Sequence, residues 1–236
     1  MTRYYKSDSI VQLVRKCENT IMNEEIARIL LEKEAVKLNA MDPFTFASGI
    51  RSPIYCDNRQ MIAYPEEREQ IVDAFINESQ GCDFDIVAGT STAGIPWASW
   101  ISDKLNKSMA YIRGSKKGHG VGNQIEGADV NSKNVLIIED LISTGGSSFS
   151  AVEAVREAGG SCVAVVAIFT YDFKKAGEIF KEGGCKLLTI TNFSTLVNVA
   201  RKNGNLTDRE LSLVSVWNKD PQNWWPKYGF LNEDKG

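Results

Sequence analysis

Apolar runs of strand length alternate with stretches of helical periodicity over most of the chain. Residues 135–138 (Val-Leu-Ile-Ile) are apolar without a break, the pattern of a strand buried on both faces of a parallel sheet. Residues 85–88, 109–113, 162–169 and 187–190 read as further strands. Between them the spacing turns helical. Pro65 opens one helix at its first position, with Glu66 and Glu67 in the first turn and Gly81 just past an end near residue 80. A second follows Gly94 to about residue 107. A third covers 149–158, with apolar residues at 149, 152 and 155, and stops at Gly159-Gly160. Others are predicted near 174–182 and from Ser194 to about 202, and Thr207 with Glu210 forms a capping box for one to about 217. Upstream, Asn23 is placed to cap a helix to about Lys37, and residues 44–59 read as two short strands around a Ser48-Gly49 turn. Residues 1–20 show only Ile10, Leu13, Val14 and Cys17 at the spacing of a short amphipathic turn. Such alternation predicts an α/β fold: an open, mainly parallel sheet flanked by helices, with ligand at the carboxyl ends of the strands.

One segment breaks the pattern. Residues 114–134 show no periodicity and contain Gly114, Gly118, Gly120, Gly122 and Gly127. Patternless loops beyond about 12–15 residues in compact domains are commonly functional lids or disordered segments. Arg113, Lys116, Lys117 and His119 crowd its start, and His119 is the only histidine of a chain whose formal net charge is −3. Glycine joints and concentrated positive charge suit a lid closing over an anion; the plain alternative is a solvated basic loop. The same segment lacks the third glycine of a dinucleotide-binding loop, and no G-x-x-x-x-G-K-[ST] occurs in the chain.

Composition narrows the class. No apolar run reaches the ~18 residues of a membrane helix, and the first twenty residues are too polar for a secretory signal. Cys17, Cys56, Cys82, Cys162 and Cys185 are odd in number and scattered, as free thiols in a reducing cytoplasm would be. The mild negative charge argues against a nucleic-acid partner.

The chemistry concentrates after the 135–138 run. Glu139 and Asp140 stand where that strand is expected to end, followed by Leu141, Ile142 and the small-residue turn Ser143-Thr144-Gly145-Gly146-Ser147-Ser148. Glycines let the turn curl, and the first N–H groups of the next helix have no partner within it, so the turn is a cradle for an anion. Two carboxylates would repel a bare phosphate; they suit a neutral vicinal diol, or a metal ion. A phosphate one sugar ring away from a diol describes a ribose 5-phosphate. The pair would also favour positive charge growing on the ribosyl C1. An ordinary strand-to-helix turn with an exposed acidic pair is the plain alternative; the full ordered stretch argues against it.

That stretch resembles the phosphoribosyl-pyrophosphate (PRPP) signature of the type I phosphoribosyltransferases, whose acids hold the ribose hydroxyls and whose loop holds the 5-phosphate. Two further motifs resemble the orotate phosphoribosyltransferases in particular. Phe44-Thr45, Ser48-Gly49 and Ser52-Pro53, then Tyr55, are similar to the hood covering the pyrimidine in that family. Arg113, Lys117, His119, Gly120, Glu126 and Gly127 are similar to its catalytic lid, although Gly114 stands where some members carry lysine.

The resemblance implies a reaction of orotate with PRPP giving orotidine 5′-monophosphate and pyrophosphate. It implies Lys117, His119 and Asp140 as catalytic residues. It assigns PRPP to Arg113, Lys117, His119, Glu139, Asp140, Leu141, Ile142, Ser143, Thr144, Gly145, Gly146 and Ser147, and orotate to Ser143, Ser48, Gly49, Arg51 and Tyr55. Some members read the base carboxylate with an arginine after the aspartate ending a strand; here Phe173 follows Asp172, and Arg51 is the substitute candidate. Mg2+ is the expected cofactor, held mainly by substrate oxygens and water, with no direct protein ligand. The chain divides into an N-terminal extension (1–22), a hood segment (23–64), a core (65–193) carrying the lid (114–134), and C-terminal helices and tail (194–236) packed on core or hood. A homodimer sharing its lids, a cytoplasmic location, and neither membrane nor nucleic-acid partners complete the expectation. Two rivals remain open at this point: a transferase of the same fold acting on another base, and a regulator that binds PRPP without turnover.

Overall fold

The computed structural model describes residues 20–46, 48–114 and 124–228. It begins with helix α1 (20–32), then β1 (Val36–Leu38), β2 (Phe44–Thr45), β3 (Arg51–Ser52) and β4 (Ile54–Cys56). These strands make two small antiparallel sheets, β1 with β4 and β2 with β3, the second closing through Ser48-Gly49. The helix expected from Asn23 to Lys37 is therefore misplaced at both ends. Its periodicity stops when Glu34 takes a left-handed conformation (φ 56), and Val36 to Leu38 turn extended against β4.

A 3-10 helix (Asn58–Ala63) and α2 (Pro65–Glu78) lead into the main sheet. That sheet comprises β5 (Ile86–Thr90), β6 (Ser108–Ile112), β7 (Ile125–Gly127), β8 (Asn134–Ile142), β9 (Ser161–Thr170) and β10 (Leu187–Asn192), in the order β10-β9-β8-β5-β6-β7. All neighbours pair parallel except β6 with β7. The helices are α3 (Gly94–Leu105), α4 (Gly146–Glu157), α5 (Lys174–Glu182), α6 (Phe193–Lys202), α7 (Asp208–Trp217) and α8 (Pro221–Tyr228).

The apolar run at the centre of β8 feeds two cores. Val135 and Ile137 pack with α4 and α5, while Leu136 and Ile138 pack with α2, α3 and the C-terminal helices. All four are fully buried, each contributing about 1.5–3 kcal/mol by removal from water. The strand does not end at the acidic pair as expected. Backbone pairing with β9 carries it on to Ile142, because a ladder needs N–H and C=O groups whatever the side chains. Two other boundaries move for similar reasons. Gly89 and Thr90 extend β5 by pairing with β6, and residues 125–127, taken from the sequence as patternless loop, form the edge strand β7.

The aromatic C-terminal segment, read without a helix of its own, forms α8. Trp224 is buried and its indole N–H donates to the Leu213 carbonyl at 2.9 Å. Phe46 of the hood, Tyr171 just past β9 and Trp217 of α7 meet in one aromatic cluster, so hood and C-terminal helices pack together at the carboxyl end of that strand.

Candidate active site

Three elements converge at the carboxyl ends of β5, β6 and β8. Thr90 to Ala93, Arg113, Glu139, Asp140 and Ser147 line one cleft of about 430 Å³. Its floor depends on close backbone contact. A Cβ on Gly94, at the start of α3, would lie 2.3 Å from the Ile138 carbonyl oxygen, so only glycine lets this helix meet β8 directly before the acids.

Glu139 is 9% exposed and held by two bonds. Its Oε2 accepts from the Ser148 hydroxyl at 2.9 Å, and its Oε1 accepts from the Asp140 N–H at 3.0 Å. The first turn of α4 thus orients the carboxylate beside it. Burial pushes the Asp140 carboxyl up to about 7, with the charge and hydrogen bond of Glu139 adding to the rise and Arg59 opposing it. An acid in this range exchanges a proton at neutral pH.

Helix α4 begins at Gly146, three residues earlier than its apolar spacing indicated, which places Ser147 and Ser148 in its first turn. Gly145 precedes it with φ 83, and no side chain caps the helix. A Cβ at Gly145 would also stand 3.1 Å from Ala176 Cα in α5. Conformation and crowding both demand glycine here. Uncapped N–H groups and the helix dipole make this turn a site for an anion.

Arg113 follows β6 on the opposite wall. Its N–H donates to the Gln124 carbonyl at 2.8 Å, and the Gln124 amide donates to the Arg113 carbonyl at 3.0 Å. Arg113 Nη1 lies 3.2 Å from Glu126 Oε1, while the Tyr111 hydroxyl donates to Glu126 Oε2 at 2.5 Å. That bond raises the Tyr111 pKa. Glu126 therefore fastens the β6–β7 stem that flanks the cleft. Lys116, Lys117 and His119 lie outside the described residues.

Leu141 also lines this cleft, whereas Ile142 is buried behind it. Ser143 is half-buried in the turn, and Thr144 faces a neighbouring cleft of about 590 Å³ that Ile50, Phe173, Lys174 and Lys219 also line. Ser48 and Gly49 are exposed at the hairpin tip, and Tyr55, 39% exposed, packs on Phe44 with ring centroids 5.6 Å apart. Arg51 donates to the Thr45 hydroxyl at 2.9 Å and lies over the Trp225 ring at 4.8 Å, which ties the hood hairpin to α8. Phe173 stacks on Tyr171 at 5.5 Å, so packing in the aromatic cluster accounts for its place.

Four residues make contacts at the site that the sequence did not indicate. Asn58 is fully buried and donates to the Asp140 carbonyl at 2.7 Å; Arg59 lines the cleft and bonds Asp57 Oδ1 at 2.6 Å. Gln124 and Ser148 hold Arg113 and Glu139. The polar run Asp57-Asn58-Arg59 behind an apolar strand was the available signal.

Comparison with known proteins agrees with this geometry. The phosphoribosyl transferase domain family matches residues 68–201. Orotate phosphoribosyltransferase of Staphylococcus saprophyticus is 52% identical over 198 residues, 83% of this chain and 98% of that protein. The Listeria monocytogenes protein of the same name is 47% identical over 206 residues, covering 86% and 98%. Among solved structures, orotate phosphoribosyltransferase from Aeropyrum pernix superposes with a TM-score of 0.67 at 26% identity, covering 77% of this chain and 99% of that one. UMP synthase of Leishmania donovani gives 0.72 at 27% identity over 84% of this chain, which spans 42% of that longer one. The acid pair, the uncapped helix start and the arginine-bearing stem thus lie in a chain that covers 98% of these relatives' length, with 83–86% of its own matched: it belongs to the orotate phosphoribosyltransferase family, with a type I phosphoribosyltransferase domain.

Proposed function

We infer that the chain transfers the 5-phosphoribosyl group of PRPP to orotate, giving orotidine 5′-monophosphate and pyrophosphate, a step of pyrimidine nucleotide synthesis. The observation that carries this reading is the meeting of Glu139 and Asp140 with the uncapped start of α4 in one cleft. Relatives nearly half identical or more carry the name of that activity.

In this reading the first turn of α4 with Ser143 to Ser147 grips the 5-phosphate, and the acid pair accepts hydrogen bonds from the ribose 2- and 3-hydroxyls. Orotate N1 attacks C1 as the C1–oxygen bond to pyrophosphate breaks. Positive charge on the ribose peaks in between, where a nearby carboxylate stabilises it most. Lys117 and His119 of the lid neutralise or protonate the departing pyrophosphate, aided by the charge of Arg113. Glu126 and Gln124 hold Arg113 ready for that role.

Mg2+ belongs to the proposal. Glu139 and Asp140 offer hard oxygen donors, and a nearby cation would offset the burial that opposes charge on Asp140. When bound, the ion would neutralise pyrophosphate charge, mostly through substrate oxygens and water. We extend the same reading to a homodimer in which each lid reaches the partner's cleft, and to a cytoplasmic location in keeping with the scattered cysteines. Among the described residues no helix is long and apolar enough to cross a membrane.

The test is spectrophotometric: orotate should be consumed only with PRPP and Mg2+ present, while uracil and hypoxanthine should not replace it. Turnover of either alternative base in preference to orotate would overturn the assignment.

A further inference from the structure

Away from the cleft, two thiols face each other. The sulfurs of Cys162 and Cys185 lie 3.6 Å apart, at van der Waals contact, and are separated by 23 residues in the chain. Cys162 is the second residue of β9, and Cys185 lies in the link between α5 and β10. Both sit at the amino ends of the strands. In the β8–β9 register Cys162 lies opposite Val135 and Ala167 opposite Glu139, so five residues of β9, about 17 Å of strand, separate the pair from the acids. The link is well anchored: the Cys185 N–H donates to the Phe180 carbonyl at 3.0 Å, and the Val165 N–H donates to the Lys186 carbonyl at 2.8 Å. Arg156, in the last turn of α4, donates to the Gly183 and Gly184 carbonyls at 2.8 and 3.3 Å, which brings a guanidinium beside the pair.

The two sulfurs are not equivalent. The hydrogen bond it shares with Cys162, with Arg156 nearby, holds the Cys185 thiol below its usual range although burial opposes this. The same bond and burial push Cys162 up. A thiolate is the reactive form, and the Arg156 guanidinium, bonded to the two carbonyls that immediately precede Cys185, favours it there. Cys185 is only 8% exposed, which restricts its reaction to small oxidants.

We propose that Cys162 and Cys185 form a peroxide-reactive dithiol that closes to an intramolecular disulfide. The Cys185 thiolate attacks one oxygen of hydrogen peroxide; the O–O bond breaks, giving a sulfenic acid and hydroxide. The sulfur of Cys162 then attacks the sulfenic sulfur, the S–O bond breaks, and water leaves with the thiol proton. In sum two thiols are oxidised and one peroxide becomes two waters. Bond formation needs the sulfurs to close from 3.6 Å to about 2.05 Å. No other described cysteine contacts this pair. The product would be a covalent staple on the fold at the end opposite the cleft, leaving activity intact.

The full-length reduced protein, treated with one equivalent of hydrogen peroxide and then alkylated, provides the test by peptide mass mapping. The expected result is one cross-link, Cys162 to Cys185, reversed by dithiothreitol, with orotate turnover retained and Tm raised by roughly 5–10 °C. Cys162→Ser should accumulate a dimedone-reactive sulfenic acid at Cys185, whereas Cys185→Ser should leave Cys162 unreacted. The proposal is overturned if both cysteines alkylate fully after peroxide, if either pairs instead with Cys17, Cys56 or Cys82, or if Cys162 is the sulfur that oxidises first.

Discussion

The Asn58 side-chain amide donates to the backbone carbonyl of Asp140 at 2.7 Å, across 82 residues of sequence. Asn58 opens the 3-10 helix at the end of the hood segment, and Asp140 lies in the central strand, so this bond couples hood to acid pair. It sits beside the Cys56 thiol, which donates to the Asn58 side-chain oxygen at 3.3 Å and is pushed up in pKa by burial. Asn58→Ala leaves a buried carbonyl without its partner, which costs about 1–3 kcal/mol. Urea unfolding should show that loss, and KM for PRPP should rise more than kcat falls. An unchanged KM would mean that the bond is structural only.

Gly145→Ala tests the phosphate turn. The left-handed φ and the nearness of α5 both penalise a Cβ, by about 1–3 kcal/mol for the backbone alone. Thermal unfolding should register that penalty, and PRPP binding should weaken because the turn must widen. Retention of both stability and affinity would remove the turn from the site.

Lys117→Ala tests the lid. Turnover should fall by roughly 10²–10⁴-fold, the range for loss of a proton-transfer or charge-stabilising group, while unfolding behaviour stays that of the parent. A near-normal kcat would exclude the lysine from the chemical step.

Asp140 also sets a pH dependence. Its folded-state pKa of about 7 exceeds the ordinary 3.8, so the folded protein holds a proton that the unfolded chain has released. The associated stability is complete below about pH 4 and is lost as pH rises through about 7. Subtracting the pH–stability curve of Asp140→Asn from that of the parent should isolate a decline over this window. A flat difference would show that Asp140 titrates normally.

Much of this architecture was legible because local pattern and tertiary role coincide. The unbroken run at 135–138, the acids and the glycine turn all announce themselves within fifteen residues, and the Thr207–Glu210 capping box forms as its spacing indicates. What escaped depends on contacts remote in sequence. Glu34 ends a helix without glycine, so nothing local marked the stop. Three-residue β7 is too short for any period, and Pro226 inside α8 disguised that helix. Asn58 carries no motif; only folding brings it to Asp140.

The account rests on Asp140 accepting from the ribose hydroxyls of PRPP. Calorimetric titration of PRPP into the parent protein and Asp140→Asn tests this without turnover. Loss of a charge-assisted hydrogen bond predicts affinity lower by about 10–100-fold, from roughly 1.5–3 kcal/mol. Equal affinity in the two proteins would contradict the assignment of the acid pair to the sugar.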